Sequence, residues 1–597
     1  MSHLDRPLVL RVAIWFVPLF LIPWGTCGVD AQEKSSVRLF PDSTIAFGRI
    51  ANVQEFIASF QATSFGRMFN DAEVQPLMSD LWRGFSSFAE EDVQDGLGMS
   101  IGDLLSIPQG EVAIGVAVPE GSQPALMVMI DVGDRLTLAE QVLDLMESDM
   151  IADGASESTE EVGDVTLRVY SGVGGADREM VVFVREDVVS LVQDLELAKQ
   201  MVAAANGEVA DDKSLADNRR FTTIMKHCEG TKGERPQLSW FLDPITLLKR
   251  ISQGNFGMTA VVGMLPTLGL DGLKALGGSV IMNTEEFDSI SHVHLSLSSP
   301  RNGVLAMLAL ESGETEPEAW VPSDVASYST FNWNLEETYL SAAKLVDGLN
   351  GEGALGRMIE RRFSEPLGID FETDLLAQLE GRATLITWVE KPARLNSQSM
   401  LLGIKLTNPE RFRETLLTLT QRFANGLENA SFSGIRYQRV RQNDEVPLAE
   451  DIFRRAAPCF GIVGDYFLLT DSENLLQEVM KTSRLSVGKK FSSELDFKLI
   501  ANKIERQVGG KSPAVLMFSR VEESMQALYD FAQSDGVRGQ LSANASENPV
   551  FGTLNQSLNN HPLPPFSVLA KYLAPRGAMV TSDATGFHYT AFSLKRD

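Results

Sequence analysis

The feature that most constrains the fold is a segment that occurs twice, at residues 97–132 and again at residues 367–406. Each copy begins with a leucine-glycine pair, continues to an Asp-Leu-Leu triplet, and reaches a second glycine that opens an apolar run. The paired openings are Leu97-Gly98-Met99-Ser100-Ile101 with Leu367-Gly368-Ile369-Asp370-Phe371, and Gly110-Glu111-Val112-Ala113 with Gly381-Arg382-Ala383-Thr384. A polar loop, a second apolar run and an amphipathic helix follow in both copies. The sequence therefore predicts a β-hairpin followed by a helix, built twice.

The repeat extends over almost the whole chain, because the elements on either side of the hairpin also recur in order. An Asn cap with Glu three residues later, which is a capping-box pattern, predicts a helix start at Asn52 and another at Asn334. Further along, one constant offset matches Asp187 with Asp465 and Met201 with Val479. These matches favour an internal duplication.

The predicted fold class is α+β, with two tandem homologous domains. At 597 residues the chain is too long for a single core. Strands within each copy follow one another through short turns, which favours a mainly antiparallel sheet with helices packed against it. We predict a signal peptide at 1–31, α+β repeat domain 1 at 32–310, an acidic linker at 311–319, and α+β repeat domain 2 at 320–597. We also expect the acidic, small-residue stretch 147–164 to be a mobile surface loop.

The first 31 residues predict a secretory signal peptide. Arg6 and Arg11 form a basic start, residues 12–22 are apolar, and Ala31 is a small residue before the expected cleavage. The apolar run is shorter than the roughly 20 residues of a membrane span, and no later stretch is long enough, so the mature chain should have no transmembrane segment. An uncleaved anchor is the alternative, and Cys27 lacks the small preceding residue of a lipid-attachment site. We expect an exported, periplasmic or extracellular protein, with envelope association open.

Charge and cysteine content exclude some partners. The formal net charge of −28, from 80 acidic and 52 basic residues, repels nucleic acid and anionic membrane surfaces. We therefore predict no nucleic-acid partner. Cys228 and Cys459 lie one in each half at non-equivalent places, so they form neither a disulfide framework nor a metal set. We predict that both are structural thiols. A single disulfide between the two halves is the alternative.

Residues 98–102 match the G-x-S-x-G pattern of the hydrolase nucleophile elbow. That elbow requires a strand, a strained turn and then a helix. No convincing strand precedes Ser100, and the second copy has Asp370 at the matching position. We predict that Ser100, with Asp103, caps a helix instead.

Residues 351–356 match the G-x-G-x-x-G dinucleotide fingerprint. The fingerprint works between a strand and a helix, where backbone amides meet the pyrophosphate. Here it follows a predicted helix, and the first copy keeps only Gly66 of the three glycines. We predict a turn between two helices and no cofactor.

Two histidines and the many carboxylates are candidates for a metal site or a hydrolase active site. His292 and His294 are two residues apart on a predicted strand and face one way, but no third ligand accompanies them, so we predict a solvated strand face. The carboxylates could bind calcium or include a paired-carboxylate site, although no spacing selects a pair. Zinc-protease, calcium-loop, phosphate-loop and C-x-x-C patterns do not occur in the sequence. We predict no catalytic, cofactor-binding or metal residues.

Two stretches resemble a known family. The opening 39–47, Leu-Phe-Pro-Asp-Ser-Thr-Ile-Ala-Phe, is followed by 107–113, Ile-Pro-Gln-Gly-Glu-Val-Ala. Both are similar to an exported bacterial family of unknown function, a domain of unknown function numerous in planctomycete-type bacteria. The resemblance covers about 39–310 and, more loosely, the second copy. It implies export and a duplicated α+β build, and brings no catalytic residues.

The leading functional prediction is a non-enzymatic envelope or periplasmic protein that binds an unknown protein or envelope component. Every reactive-looking residue differs between the two copies, which favours this class. The alternatives are a hydrolase with a single active copy and an unrecognised carboxylate or serine site, and a carrier of a hydrophobic ligand held between helices and sheet. A polar cleft with strongly shifted carboxylate pKa values would favour the hydrolase. A large apolar cavity would favour the carrier, and a broad exposed apolar patch would favour the interaction protein.

Overall fold

A computed structural model describes most of the chain after residue 34. The described residues are 35–119, 123–173, 179–208, 213–230, 233–253, 255–392, 394, 396–441, 453–485, 490–509, 512–546 and 548–596. The predicted signal peptide and Cys27 lie outside them, so their prediction is unaffected.

Antiparallel strands with interspersed helices make up the described chain, which confirms the predicted α+β class. The strands are β1 Thr44–Ile50, β2 Val112–Ala117, β3 Ala125–Asp131, β4 Ser156–Val162, β5 Val165–Ser171, β6 Glu179–Arg185, β7 Val188–Val192, β8 Leu238–Leu242, β9 Leu273–Met282, β10 Phe287–Leu297, β11 Ser327–Asn332, β12 Leu379–Val389, β13 Gln398–Leu406, β14 Leu427–Phe432, β15 Ile435–Val440, β16 Cys459–Val463, β17 Tyr466–Thr470, β18 Val515–Ser519, β19 Arg576–Asp583 and β20 Gly586–Leu594.

The helices lie between these strands and differ widely in length. They are α1 Ser36–Leu39, α2 Val53–Ala62, α3 Ser64–Phe69, α4 Gln75–Leu97, α5 Ile101–Leu105, α6 Leu136–Ala152, α7 Leu195–Ala205, α8 Arg219–His227, α9 Pro244–Ile251, α10 Phe256–Leu268, α11 Gly303–Met307, α12 Leu335–Asn350, α13 Ala354–Ile359, α14 Glu365–Leu367, α15 Pro409–Arg422, α16 Glu473–Thr482, α17 Leu495–Gln507, α18 Val521–Ala532, α19 Asp535–Asn544, α20 Pro549–Asn560 and α21 Phe566–Ala570. Short 3-10 and π-helical turns connect several of them.

The two halves of the chain pair their strands in the same order. In the first half the order across the sheet is β4-β5-β6-β7-β3-β2-β1-β8-β9-β10. In the second half it is β14-β15-β16-β17-β13-β12-β11-β18-β19-β20. The register of each strand is fixed by the side chains that it must bury. Because the strand order is shared as well, a position in one sheet can be matched with a position in the other. The common order supports the predicted duplication.

The predicted helix starts are confirmed at their caps. Asn52 accepts a hydrogen bond from the backbone N–H of Glu55 at 2.8 Å, and α2 begins at the next residue. Asn334 accepts one from Glu337 at 2.9 Å at the start of α12. These side chains satisfy backbone donors that the first helical turn leaves without partners.

The same aromatic triplet occupies the core of each half. Edge-to-face rings at 5.6–5.9 Å are a favourable arrangement for buried aromatic side chains, and both triplets have it. In the first half the centroid separations are 5.6 Å for Phe47–Phe221 and 5.6 Å for Phe221–Phe241. In the second half they are 5.9 Å for Tyr328–Phe497 and 5.7 Å for Phe497–Phe518. Each triplet joins the first strand of its half, a helix and a later strand.

The described chain divides into two compact units whose limits differ from the predicted domain boundaries. The first unit takes the chain up to 262 with 274–296 and 556–563, and the second takes 263–273, 297–555 and 564 onward. Within the first unit, the Asn560 amide donates a hydrogen bond to Asp80 at 3.2 Å. A short segment late in the chain therefore packs with the first half.

The expectation of a mobile loop at 147–164 is wrong. Residues 147–152 complete α6, and β4 follows and pairs with β5 along its whole length. β4 is an edge strand whose sequence, Ser-Glu-Ser-Thr-Glu-Glu-Val, has side chains that are mostly exposed. A strand with solvent on both faces carries no apolar alternation, so the sequence showed no strand pattern there.

Candidate functional site

Ser100 is a helix cap, as predicted. Its hydroxyl accepts a hydrogen bond from the backbone N–H of Asp103 at 3.0 Å and donates one to the Asp103 carboxylate at 2.7 Å. The preceding element is the long helix α4, which ends in Gly98 with a left-handed backbone. The strand that a nucleophile elbow requires is therefore replaced by a helix.

The glycine-rich stretch 351–356 is the predicted turn between two helices. It connects α12 to α13, and Gly351 and Gly353 adopt positive φ angles that favour glycine. The Asp347 carboxylate accepts hydrogen bonds from the backbone N–H groups of Gly353 at 2.8 Å and Leu355 at 3.0 Å. These bonds hold the pKa of Asp347 below its usual value. The amides that a pyrophosphate would need are thus engaged by the protein's own carboxylate.

His292 and His294 are buried on β10, so the prediction of a solvated strand face is wrong. The ring of His294 stacks on the ring of His227, at the end of α8, with centroids 3.9 Å apart. Burial lowers the pKa of His292 and favours its neutral form. Ile290, two residues earlier, lies on the same buried face of the strand, and this alternation was the sequence signal for burial.

Metal and disulfide chemistry find no support within the described ranges. They hold no group of three or more His, Cys, Asp or Glu side chains arranged to bind a metal ion. Cys228 and Cys459 are both buried and both free thiols. Burial raises the pKa of each thiol to about 12, so both stay protonated and unreactive near neutral pH. No helix in the described part of the chain is long and apolar enough to cross a bilayer.

A polar pocket in the second unit contains a buried ion pair. The pocket has a volume of about 460 Å³ and lies over Glu318 and Arg382. Arg382 lies 3.1 Å from the Glu318 carboxylate and 2.8 Å from Glu314. The Thr384 hydroxyl and, at 3.3 Å, the Tyr328 hydroxyl also donate to Glu318.

The charged and polar side chains that line this pocket bind one another. Burial raises the pKa of Glu318, and the Arg382 guanidinium and Thr384 hydroxyl oppose that rise. Arg382 also donates to the backbone carbonyl of Glu316. The cluster therefore fastens the acidic segment 314–318 to strand β12. A general acid or base needs a substrate-facing proton site, whereas this carboxylate is saturated by intramolecular partners.

Helix α6 packs on one face of strands β5, β6 and β7 of the first sheet. Leu143 and Met150 of α6 pack on a buried cluster that includes Tyr170 of β5, Val182 of β6 and Leu191 of β7. Tyr170 is 1% exposed and Leu191 is 5% exposed. This face is an ordinary close-packed core.

In the described part of the chain, the matching face of the second sheet is only partly covered. Strand pairing places Phe460 and Leu469 opposite each other, as it does Val182 and Leu191 in the first half. Leu469 is 44% exposed, and Val440, at the position of Tyr170, is 40% exposed. The buried cluster on this side contains only Leu406, Phe412 and Ile462, with other apolar side chains partly covered against it. A surface that is core in one half is thus solvent-accessible in the other.

An apolar groove of about 620 Å³ lies where this cover is missing. We define the apolar groove by its hydrophobic lining residues, Leu416, Leu419, Phe423, Leu427, Phe460 and Phe467. The groove lies beside the end of the covering helix α15. Helix α6 has 17 residues and its fifteenth, Met150, is 1% exposed, whereas α15 has 14 residues and the next residue, Phe423, is 58% exposed.

The helical spacing of Phe412, Leu416, Leu419 and Phe423 predicts one buried face of α15 and no open site. Phe412 is buried as expected, but Phe423 is not. The sequence gives no signal for this difference, because an Asn-Gly pair (425–426) follows α15 much as an Asp-Gly pair (153–154) follows α6. Comparison of the chain with protein-family models, curated proteins and solved structures finds no match.

Proposed function

We propose that this protein is a non-enzymatic, exported envelope or periplasmic protein that binds a partner or ligand in the apolar groove of its second unit. The observation that carries the proposal is the difference between the two matching sheet faces. In the first, α6 buries Tyr170 and Leu191, whereas in the second Val440 is 40% exposed, Leu469 44% and Phe423 58%. Exposed apolar patches with polar surroundings mark interaction sites on soluble proteins.

The hydrolase alternative has less support. Ser100, the serine that the sequence singled out, caps a helix. Glu318, the buried carboxylate of the polar pocket, is held by Arg382. The carrier alternative uses the same groove, because an apolar ligand and an apolar protein segment both gain from removing these side chains from water. The interaction-protein prediction and the carrier alternative therefore both place the binding site in this groove.

The proposal is tested by titrating the mature chain with Nile red, an apolar dye whose fluorescence rises on leaving water. Phe423→Asp places a charge on the groove, and Phe363→Asp is the matched control. Phe363 is 50% exposed, in the same unit, and outside the groove lining. We expect saturable dye binding that is lost in Phe423→Asp and kept in Phe363→Asp. Equal binding by both variants would contradict the proposal.

A further inference from the structure

Helices α9 and α10 present apolar side chains that the described part of the chain leaves largely in water. Phe256 is 93% exposed and Val261 is 64% exposed, and Leu248 and Ile251 of α9 are exposed as well. We propose that these four side chains, the membrane-binding patch, insert into the interface of a lipid bilayer that contains anionic phospholipids. The patch belongs to the first unit and includes no residue of the apolar groove, so this proposal goes beyond the proposed function.

Helix α10 lacks the charged face that a surface helix usually has. Residues 251–270 contain no charged side chain, and Leu265 alone is buried among the residues of α10, all of which are described. A helix turns by about 100° per residue, so Phe256 and Val261 point about 140° apart. A bilayer interface can surround both side chains, whereas a protein groove takes up one stripe of a helix.

The charge around the patch is opposite in sign to that of the whole chain. Residues 244–270 include no acidic side chain and two basic ones, Lys249 and Arg250, in the last turn of α9. Neither has a carboxylate partner within the described ranges. Basic side chains beside an apolar helix favour anionic headgroups. The net charge of −28 opposes this attraction only in part, because physiological salt screens charges farther away than about 8 Å.

The fold does not require an apolar helix at this position. Strands β8 and β9, which α9 and α10 connect, match β18 and β19 of the second half. There the connection begins with Glu522 and Glu523 in the first turn of α18 and includes Asp530 and Arg538 further along. Charged helices therefore make the same link, and the apolar character of α10 is not a consequence of joining the strands.

The length of α10 predicts that it lies in the interface and does not cross the bilayer. It has 13 residues, which is about 20 Å at 1.5 Å per residue, and a hydrocarbon core is about 30 Å thick. The Thr259 hydroxyl donates a hydrogen bond to the backbone carbonyl of Ser252 at 2.9 Å, which holds the first turns of α10 to the end of α9. The basic pair and the apolar side chains can therefore engage headgroups and acyl chains at the same time.

Co-sedimentation of the mature chain with vesicles tests the proposal. The vesicles contain equal parts of phosphatidylglycerol and phosphatidylcholine, at about 0.15 M salt. We expect saturable binding whose affinity falls about tenfold or more in Phe256→Asp, because a charge replaces an inserted ring. Leu495→Asp is the matched control, since Leu495 is 83% exposed in the second unit, and it should bind as the wild type does. Val261→Asp repeats the comparison should Phe256→Asp not fold.

Two further variants test the lipid chemistry and the depth of insertion. Lys249→Gln combined with Arg250→Gln should weaken binding to the anionic vesicles and leave binding to pure phosphatidylcholine unchanged. Phe256→Trp should add fluorescence that is quenched more by lipids brominated near the headgroup than by lipids brominated near the bilayer centre. Equal binding of the basic-pair variant to anionic vesicles would overturn the headgroup assignment, and quenching from the centre alone would overturn the interfacial position.

The remaining outcomes separate the patch from the apolar groove. No binding by the wild type, or equal binding by wild type, Phe256→Asp and Val261→Asp, would overturn the patch. Vesicle binding that is lost in Phe423→Asp and kept in Phe256→Asp would overturn it as well, and would place the lipid in the groove. Concentration-dependent dimers abolished by Phe256→Asp would overturn the lipid surface in favour of a second copy. Nile red binding that depends on Phe423 and not on Phe256 would leave the proposed function standing in each case.

Discussion

Two ion pairs of opposite polarity occupy matching places in the two halves. In the first half, Arg220 at the start of α8 pairs with Asp243, the residue after β8. In the second half, Asp496 at the start of α17 pairs with Arg520, the residue after β18, with a 3.0 Å contact. Each pair lies beside the aromatic triplet of its half. If one member of a pair were removed, the other would be left as an unpaired charge where the helix packs on the strand.

Reversing one member of the first pair should destabilise the fold, and reversing both should restore much of the loss. We expect Arg220→Asp to lower the free energy of unfolding by about 1–3 kcal/mol, because it places a carboxylate against the buried Asp243. The double variant Arg220→Asp, Asp243→Arg reproduces the polarity of the second half. Recovery should be partial, since Asp243 also accepts from the backbone N–H of Thr246 at 3.0 Å and caps α9. Urea denaturation of the three chains measures this, and equal stability of all three would disprove a coupled pair.

Glu111 should make stability depend on pH. Its carboxylate accepts from the backbone N–H of Ser36 at 3.1 Å and lies 3.8 Å from Arg49, and burial raises its pKa above 4.5 despite those partners. A carboxyl group with a raised folded-state pKa binds its proton more tightly when folded. Its favourable contribution is complete below the unfolded pKa and is lost as pH rises through the folded pKa.

We therefore expect Glu111→Gln to make the free energy of unfolding less dependent on pH in the range where Glu111 titrates. Denaturant midpoints from pH 4 to pH 8 would be compared for wild type and variant. The wild type should lose stability relative to Glu111→Gln as pH rises above about 4.5. A constant difference across the range would show that Glu111 does not titrate in this window.

At the scale of elements, the helices that cover the two matching sheet faces differ in length. Helices α6 and α15 follow matching hairpins, yet α6 runs three residues longer and brings Met150 over the sheet. Three residues advance a helix by about 4.5 Å, nearly one turn. That distance is enough to cover or uncover one row of side chains on the neighbouring strands.

Equivalent leucines in the two halves should therefore respond differently to truncation. We expect Leu191→Ala to lower the free energy of unfolding by about 2–5 kcal/mol, because it opens a cavity in a packed core. Leu469→Ala removes a side chain that is 44% exposed and should cost about 1 kcal/mol or less. Chemical denaturation of both variants measures the difference. Equal losses would mean that the second face is covered in solution.

At the scale of the whole molecule, each unit has a core of its own. Leu167 belongs to a buried cluster of the first unit, and Leu468 is fully buried in the second. Separate cores are the condition under which a chain unfolds in more than one transition. The first unit also includes 556–563, a segment that lies far along the sequence.

Calorimetry of the intact chain should show two transitions that can be shifted separately. We expect Leu167→Ala to lower the melting temperature of one transition and Leu468→Ala that of the other, by several degrees each, as losses of a few kcal/mol imply. The double variant should shift both. A single transition that moves equally in both variants would show that the units unfold together.

Much of the fold was predictable from the sequence because it follows from local sequence patterns. Apolar alternation predicted the hairpins β2–β3 and β12–β13, and cap residues such as Asn52 and Asn334 predicted helix starts. The same local rules correctly assigned Ser100 to a cap and the 351–356 glycines to a turn. The polar edge strand β4 and the buried His292 and His294 were mispredicted, because their environment depends on neighbours distant in sequence.

The sequence by itself determined the α+β class, the repeated order of elements, the cap role of Ser100 and the turn at 351–356, since each follows from short-range periodicity and spacing. Only the tertiary structure decided which apolar side chains are core. Whether Leu191 or Leu469 is buried depends on how far a separate helix extends across the sheet, and on whether residues such as Met150 reach it. Burial is a property of the assembled layers, and so the apolar groove could be found only in the folded molecule.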